Sequence, residues 1–145
     1  VGGASTLQEF YELDFEARFD ILDYLSDFAL YETLTLNHRH YILVHAGLYH
    51  FSMQRGLEDY DVSELIFHPM DYGRTYFPDA YIVSGHLPTR VIYAAKQGQE
   101  LSELKPHEYR DEIYMENHHI AIDCGCGYDG RLGCICLDDL QHFYV

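Results

Sequence analysis

Two apolar runs in this chain stop abruptly at a histidine with glycine close by: Leu43-Val44-His45-Ala46-Gly47-Leu48 and Val83-Ser84-Gly85-His86-Leu87-Pro88-Thr89. Such runs are too short for helices and read as strands. A strand that ends this way delivers its imidazole to the carboxyl end, and the glycine lets the backbone turn close to an ion or a phosphate. Both runs need a common core, and the chain can supply one. Its 145 residues, 48% of them apolar, match one globular domain, residues 1–145.

The remaining sequence predicts helices flanking mixed and antiparallel strands, an α/β class in the broad, α+β sense. Thr6 and Glu9 have the spacing of a capping box, which starts a helix. After a break near Leu13-Asp14, Phe15, Phe19, Leu22, Leu25 and Phe28 recur at helical spacing opposite Glu16, Asp20, Asp23 and Asp27. That pattern predicts an amphipathic helix packed on something. Residues 33–36 and 40–44 flank Asn37-His38-Arg39 as a hairpin. The polar stretch 49–78 reads as loop and short helix. Further strands are expected at 80–83 and near Val91-Ile92-Tyr93, before a charged connector through Glu112. The tail (113–115, 119–123, 132–137 and 142–145), split by turns such as Asp129-Gly130, predicts an antiparallel meander.

Counting 24 Asp and Glu against 9 Lys and Arg gives a net charge of −15, which repels a nucleic-acid backbone. No run approaches the roughly 20 apolar residues of a membrane-spanning helix, and no signal-peptide pattern opens the chain. A soluble, cytoplasmic protein is expected. Val1-Gly2-Gly3 lacks an initiator Met and reads as a processed or chosen boundary. Ten histidines make a metal site worth seeking. One histidine at a strand end is most often a hydrogen-bonded structural residue; two of the same design shift the balance toward metal binding.

Val44-His45-Ala46-Gly47-Leu48 resembles the "HAGL" or "HGGL" element of the calcineurin-like metallophosphoesterases, which include bacterial serine/threonine protein phosphatases and dinucleoside tetraphosphatases. Gly85-His86-Leu87-Pro88-Thr89 resembles their "GHTPT" element, and the tail from His118 to Cys126, with Gly130-Arg131-Leu132, resembles the end of bacterial members. The resemblance spans Gly2-Gly3 to Tyr144-Val145. It implies the carboxyl-terminal half of a two-sheet sandwich in which His45 and His86 ligate the second of two divalent ions (Mn, Fe or Zn). It also implies a phosphorylated substrate, phosphoprotein or nucleoside polyphosphate, attacked by a metal-bound hydroxide.

The family's "GDxHG", "GDxxDRG" and "GNHD" elements, which supply the other ligands, do not occur here. By the resemblance, the chain alone should be inactive and should expose an unpaired strand edge and an apolar face. Its missing amino-terminal half, a second chain or a homodimer mate would cover them. The alternative is a non-catalytic interaction module that retains half of the fold. Family members often carry a phosphate-binding arginine about where Pro69 falls; Arg74 or His68 are the candidates to replace it, against ordinary surface roles.

The cysteines form Cys124-x-Cys126 and Cys134-x-Cys136, expected on two strands of a hairpin. A structural zinc is one reading. One-residue spacing puts each pair on one strand face rather than around an ion, which favours small buried thiols, and disulfides are disfavoured. Asp59/Asp61 and Asp138/Asp139 read as solvated turn residues. Asp123 lies within an apolar run and needs a partner, in a site loop or in a structural network.

Overall fold

A computed structural model describes residues 3–145; Val1 and Gly2, and with them the start of the resemblance and the chain boundary, lie outside the described residues. Five strands form one sheet in the order β1-β2-β3-β5-β4: β1 (Tyr31–Leu36), β2 (Arg39–Val44), β3 (Ala80–Ser84), β4 (Tyr114–Glu116) and β5 (His119–Ala121). The three inner strands run parallel, and each outer strand pairs antiparallel with its neighbour. A second, antiparallel sheet joins β6 (Gly133–Ile135) to β7 (His142–Tyr144). With helices α1 (Ala4–Glu12), α2 (Phe15–Ser26), α3 (Val62–Ile66) and α4 (Thr89–Lys96), this is an α+β fold.

The inner strands are apolar because both of their faces are covered. Tyr41, Ile42 and Val44 of β2, Ile82 and Val83 of β3 and all of β5 are buried. On one face Val44 and Ile82 pack with Leu48, Tyr60, Leu65, Met70 and Tyr76. On the other, Tyr41, Val83 and Ile120 meet Ile135, Leu137, Leu140 and Tyr144 around the small sheet. Both hairpins of the main sheet turn on the same dipeptide. Asn37-His38 (φ 50° and 63°) joins β1 to β2, and Asn117-His118 (φ 51° and 60°) joins β4 to β5. Two successive left-handed residues match the right-handed twist of the flanking strands.

The structure corrects several expectations. The helix begins at Ala4 behind a left-handed Gly3, so Thr6 lies inside α1 and caps nothing. The capping aspartate is Asp14, whose carboxylate accepts from the Ala17 amide at 2.8 Å and starts α2. Nothing among the described residues covers the apolar face of α2: Phe15 is 77% exposed and Phe19 59%. Val91-Ile92-Tyr93 belongs to α4 rather than to a strand. A three-residue apolar run has no period of its own, and Ala94-Ala95-Lys96 continue it as good helix formers. The tail is not one meander, because β5 adds in parallel to β3 while β6 and β7 form a separate sheet. No described helix is long and apolar enough to cross a membrane.

Candidate functional site

The register that pairs Val44 with Ser84 ends β2 and β3 at the same level. His45 follows at once, and its carbonyl accepts from the Gly85 amide at 2.9 Å, so His86 emerges beside it. Nδ1 of His86 faces Nε2 of His45 at 3.2 Å, with ring centroids 5.1 Å apart and planes inclined by 70°. Both side chains are open to solvent. Two imidazole nitrogens bound to one ion at about 2.0–2.1 Å in a tetrahedral arrangement lie about 3.3 Å apart. The 3.2 Å separation of the pair matches that spacing. The same spacing accommodates a hydrogen bond between neutral rings, one donating and one accepting.

The loop after His45 is caught by α3. The Ala46 and Gly47 amides donate to the Leu65 carbonyl at 2.9 and 3.3 Å. Arg55 holds α3 in turn, donating from Nη1 and Nη2 to the two carboxylate oxygens of Glu64 at 3.0 and 2.8 Å, while the Asp61 amide donates to Oε2 at 3.0 Å. The Arg55 guanidinium, helped by the Asp61 amide, holds the Glu64 carboxyl down at about 2. Gly47 is obligatory here: a Cβ would sit 2.6 Å from Met70 Cγ and 2.9 Å from the His68 carbonyl.

The loop around His86 is built differently. His86 has φ +66°, and the Leu87 amide turns back to the Gly85 carbonyl at 2.7 Å. A bond between residues i and i+2 around a positive φ is the rare, strained form of the γ-turn, and such a residue costs about 1–3 kcal/mol. Gly85 meets no such crowding, since the nearest atom to a Cβ there is the His45 carbonyl oxygen at 3.7 Å and its φ is not left-handed. Beneath the turn, buried Ser84 Oγ shares a hydrogen bond with Tyr72 Oη at 3.0 Å, and burial pushes the Tyr72 phenol up.

The other candidate residues lie apart from this pair or serve as its supports. The His68 ring stacks on Tyr49, with centroids 4.0 Å apart. The Arg74 guanidinium lies 4.4 Å from the Tyr76 ring centroid, and its carbonyl accepts from Nε2 of buried His119 at 2.8 Å. Burial pushes the His119 pKa down, which keeps that ring neutral. The cysteines are all free thiols, and only Cys124 is buried; Cys126 lies in a short 3-10 turn rather than on a strand, and Cys134 is exposed. Burial raises Cys124 away from the thiolate a metal needs. Among the described residues no group of three or more His, Cys, Asp or Glu is arranged to hold a metal. Asp123 closes its own loop, accepting from the Gly125 amide at 3.0 Å. Asp59 and Asp139 likewise accept from nearby amides, of Gly56 and Gln141.

Sequence reasoning passed over Glu64 and Arg90. Glu64 stands three residues after Asp61, the spacing of a capping box, and its carboxylate makes the reciprocal half of that box by accepting from the Asp61 amide. Arg90 interrupts an apolar stretch, which by itself signals a buried partner. Met70, which packs on Gly47, and Leu87, which follows His86, also border a cavity of about 520 Å³ that continues past Val91 and Ile92 to Lys96 and Glu116. Compared with protein-family models, with curated proteins and with solved structures, the chain matches none.

Proposed function

We propose that His45 and His86 hold one ion of a two-metal phosphoester hydrolase, whose remaining ligands come from polypeptide outside the described residues. One observation carries this reading: two imidazole nitrogens face each other at 3.2 Å at the level ends of neighbouring parallel strands. The resemblance of residues 44–48 and 85–89 to the metallophosphoesterase elements supplies the reaction class. Bound ions of this kind generate the attacking hydroxide and neutralise the phosphoryl oxygens.

The roles of the chain's own residues follow from their positions. His45 offers Nε2 and His86 offers Nδ1, each from a loop anchored on its own side. Gly47 keeps a side chain off the Met70 and His68 backbone beside it. A chain of net charge −15 repels a phosphate ester unless cations offset it, which is the electrostatic reason for metal here. The cavity bordered by Met70 and Leu87 gives room for the organic part of a phosphoprotein or nucleoside polyphosphate. The test is Mn²⁺-dependent hydrolysis of p-nitrophenyl phosphate by this chain joined to polypeptide bearing the "GDxHG", "GDxxDRG" and "GNHD" elements. Turnover abolished by His45→Ala and by His86→Ala supports the proposal, whereas turnover indifferent to both defeats it.

A second reading, a non-catalytic interaction module, is favoured by the apolar face of α2 and by the groove of Phe28, Leu30, Leu43 and Ile122 next to His45. These surfaces suit a second chain or another copy. Under that reading, divalent metal binds weakly and His45→Ala leaves the binding unchanged.

A further inference from the structure

Arg90 lies four residues beyond His86, in the first turn of α4, and is only 7% exposed. Its Nε and Nη2 donate to the two carboxylate oxygens of Asp111, each at 2.7 Å, and Nη1 donates to the Tyr128 carbonyl at 3.1 Å. The Tyr109 ring centroid lies 4.8 Å from the guanidinium carbon. The surrounding backbone is shaped to this group. A Cβ on Gly125 would lie 2.9 Å from Nη2, and one on Gly130 would lie 2.7 Å from it. Gly125 also has φ +76°, a conformation that an L side chain rarely adopts.

One side chain thus joins three segments: the start of α4, the connector before β4 and the loop after β5. That loop reaches back to the same place, since the Asp123 carbonyl accepts from the Thr89 amide at 2.7 Å. His86 is therefore fixed on both sides, upstream by the Gly85 amide on the His45 carbonyl and downstream by Thr89 and Arg90. A strained turn persists only where its surroundings over-determine it. The buried anchor just downstream of this turn is the Arg90 fork.

We infer that Arg90 is a positioning residue: by clamping the start of α4 to Asp111 and Tyr128, it holds His86 in its strained turn with Nδ1 against His45. A buried ion pair is weak evidence for stability, and an apolar pair of similar volume often serves a core as well. What the fork adds is geometry, with three directed donors that lysine cannot reproduce. The consequence for metal affinity rests on the metal-binding reading of the pair; the consequence for ring geometry does not.

The experiment uses the full chain as wild type, Arg90→Lys and the double variant Arg90→Met/Asp111→Leu, which replaces the ion pair by apolar side chains if the lysine variant fails to fold. Two readouts are taken on folded protein: the nuclear Overhauser effect between carbon-bound ring protons of His45 and His86, and Co²⁺ affinity from its visible absorption. Folded variants are expected to lose the cross-ring effect and to bind Co²⁺ about 10–100-fold more weakly, the usual cost of removing an outer support. A folded variant that keeps both the cross-ring effect and wild-type affinity overturns the inference. If the wild type binds no Co²⁺, the metal reading falls, and the ring-to-ring effect alone decides the role of Arg90.

Discussion

The two histidine loops sit side by side and are held by opposite means. Around His45 the surroundings are crowded: Gly47 is wedged against Met70 and the His68 carbonyl, and α3 takes two amides of the loop. Around His86 there is room, since a side chain on Gly85 would touch little, but the backbone is strained at φ +66° and must be held from outside. Two motifs that look alike in sequence therefore use glycine for different purposes. In one, glycine admits a neighbouring segment; in the other, it is merely tolerated, and the unfavourable conformation falls on the histidine itself.

The largest contrast lies between the glycines. Gly47→Ala forces Met70 and the His68 backbone to move and is expected to lower unfolding free energy by about 2–3 kcal/mol. Gly85→Ala is expected to stay within about 0.5 kcal/mol of wild type, since its nearest contact is ordinary van der Waals packing. Urea denaturation of the two variants measures both, and equal losses would break the comparison. A smaller effect of opposite sign separates the histidines. His86→Gly relieves the left-handed strain and should gain about 0.5–1 kcal/mol, while His45→Gly should lose a similar amount. A destabilised His86→Gly chain would show that the turn is not strained.

A third difference is a pH dependence belonging to the His45 side. Glu64 titrates at about 2 in the folded chain against 4.5 when free, so its contribution to stability is present above 4.5 and is lost as pH falls toward 2. The difference in unfolding free energy between wild type and Glu64→Gln should shrink across that window. A difference that stays constant from pH 5 to pH 2 would remove the Arg55–Glu64 pair as the support of α3.

The legible parts of the fold were those where local chemistry and burial agree. β2 and β3 could be read because interior strands are apolar on both faces, and the first hairpin because Asn-His accepts left-handed conformations. The site pair was legible for the same reason, since each histidine directly follows or closely trails a strand end. Other features depend on distant partners. The stripe of Phe15, Phe19 and Leu22 announces a face without naming what covers it, and none of the described residues does. Val91-Ile92-Tyr93 suited a strand until the residues on either side decided for α4. The cysteines kept their spacing, but a 3-10 turn at Cys126 takes the first pair off the expected hairpin. Arg90 could be noticed but not placed, because Asp111, Tyr128 and the two glycines that frame it lie 21 to 40 positions further on.

Isothermal titration of Zn²⁺ into wild type, His45→Ala and His86→Ala at neutral pH tests the convergence of the two rings most directly. One ion bound per wild-type chain, with binding lost in each single variant, is the predicted result. Binding that survives His45→Ala unchanged, or that is absent from the wild type, contradicts it.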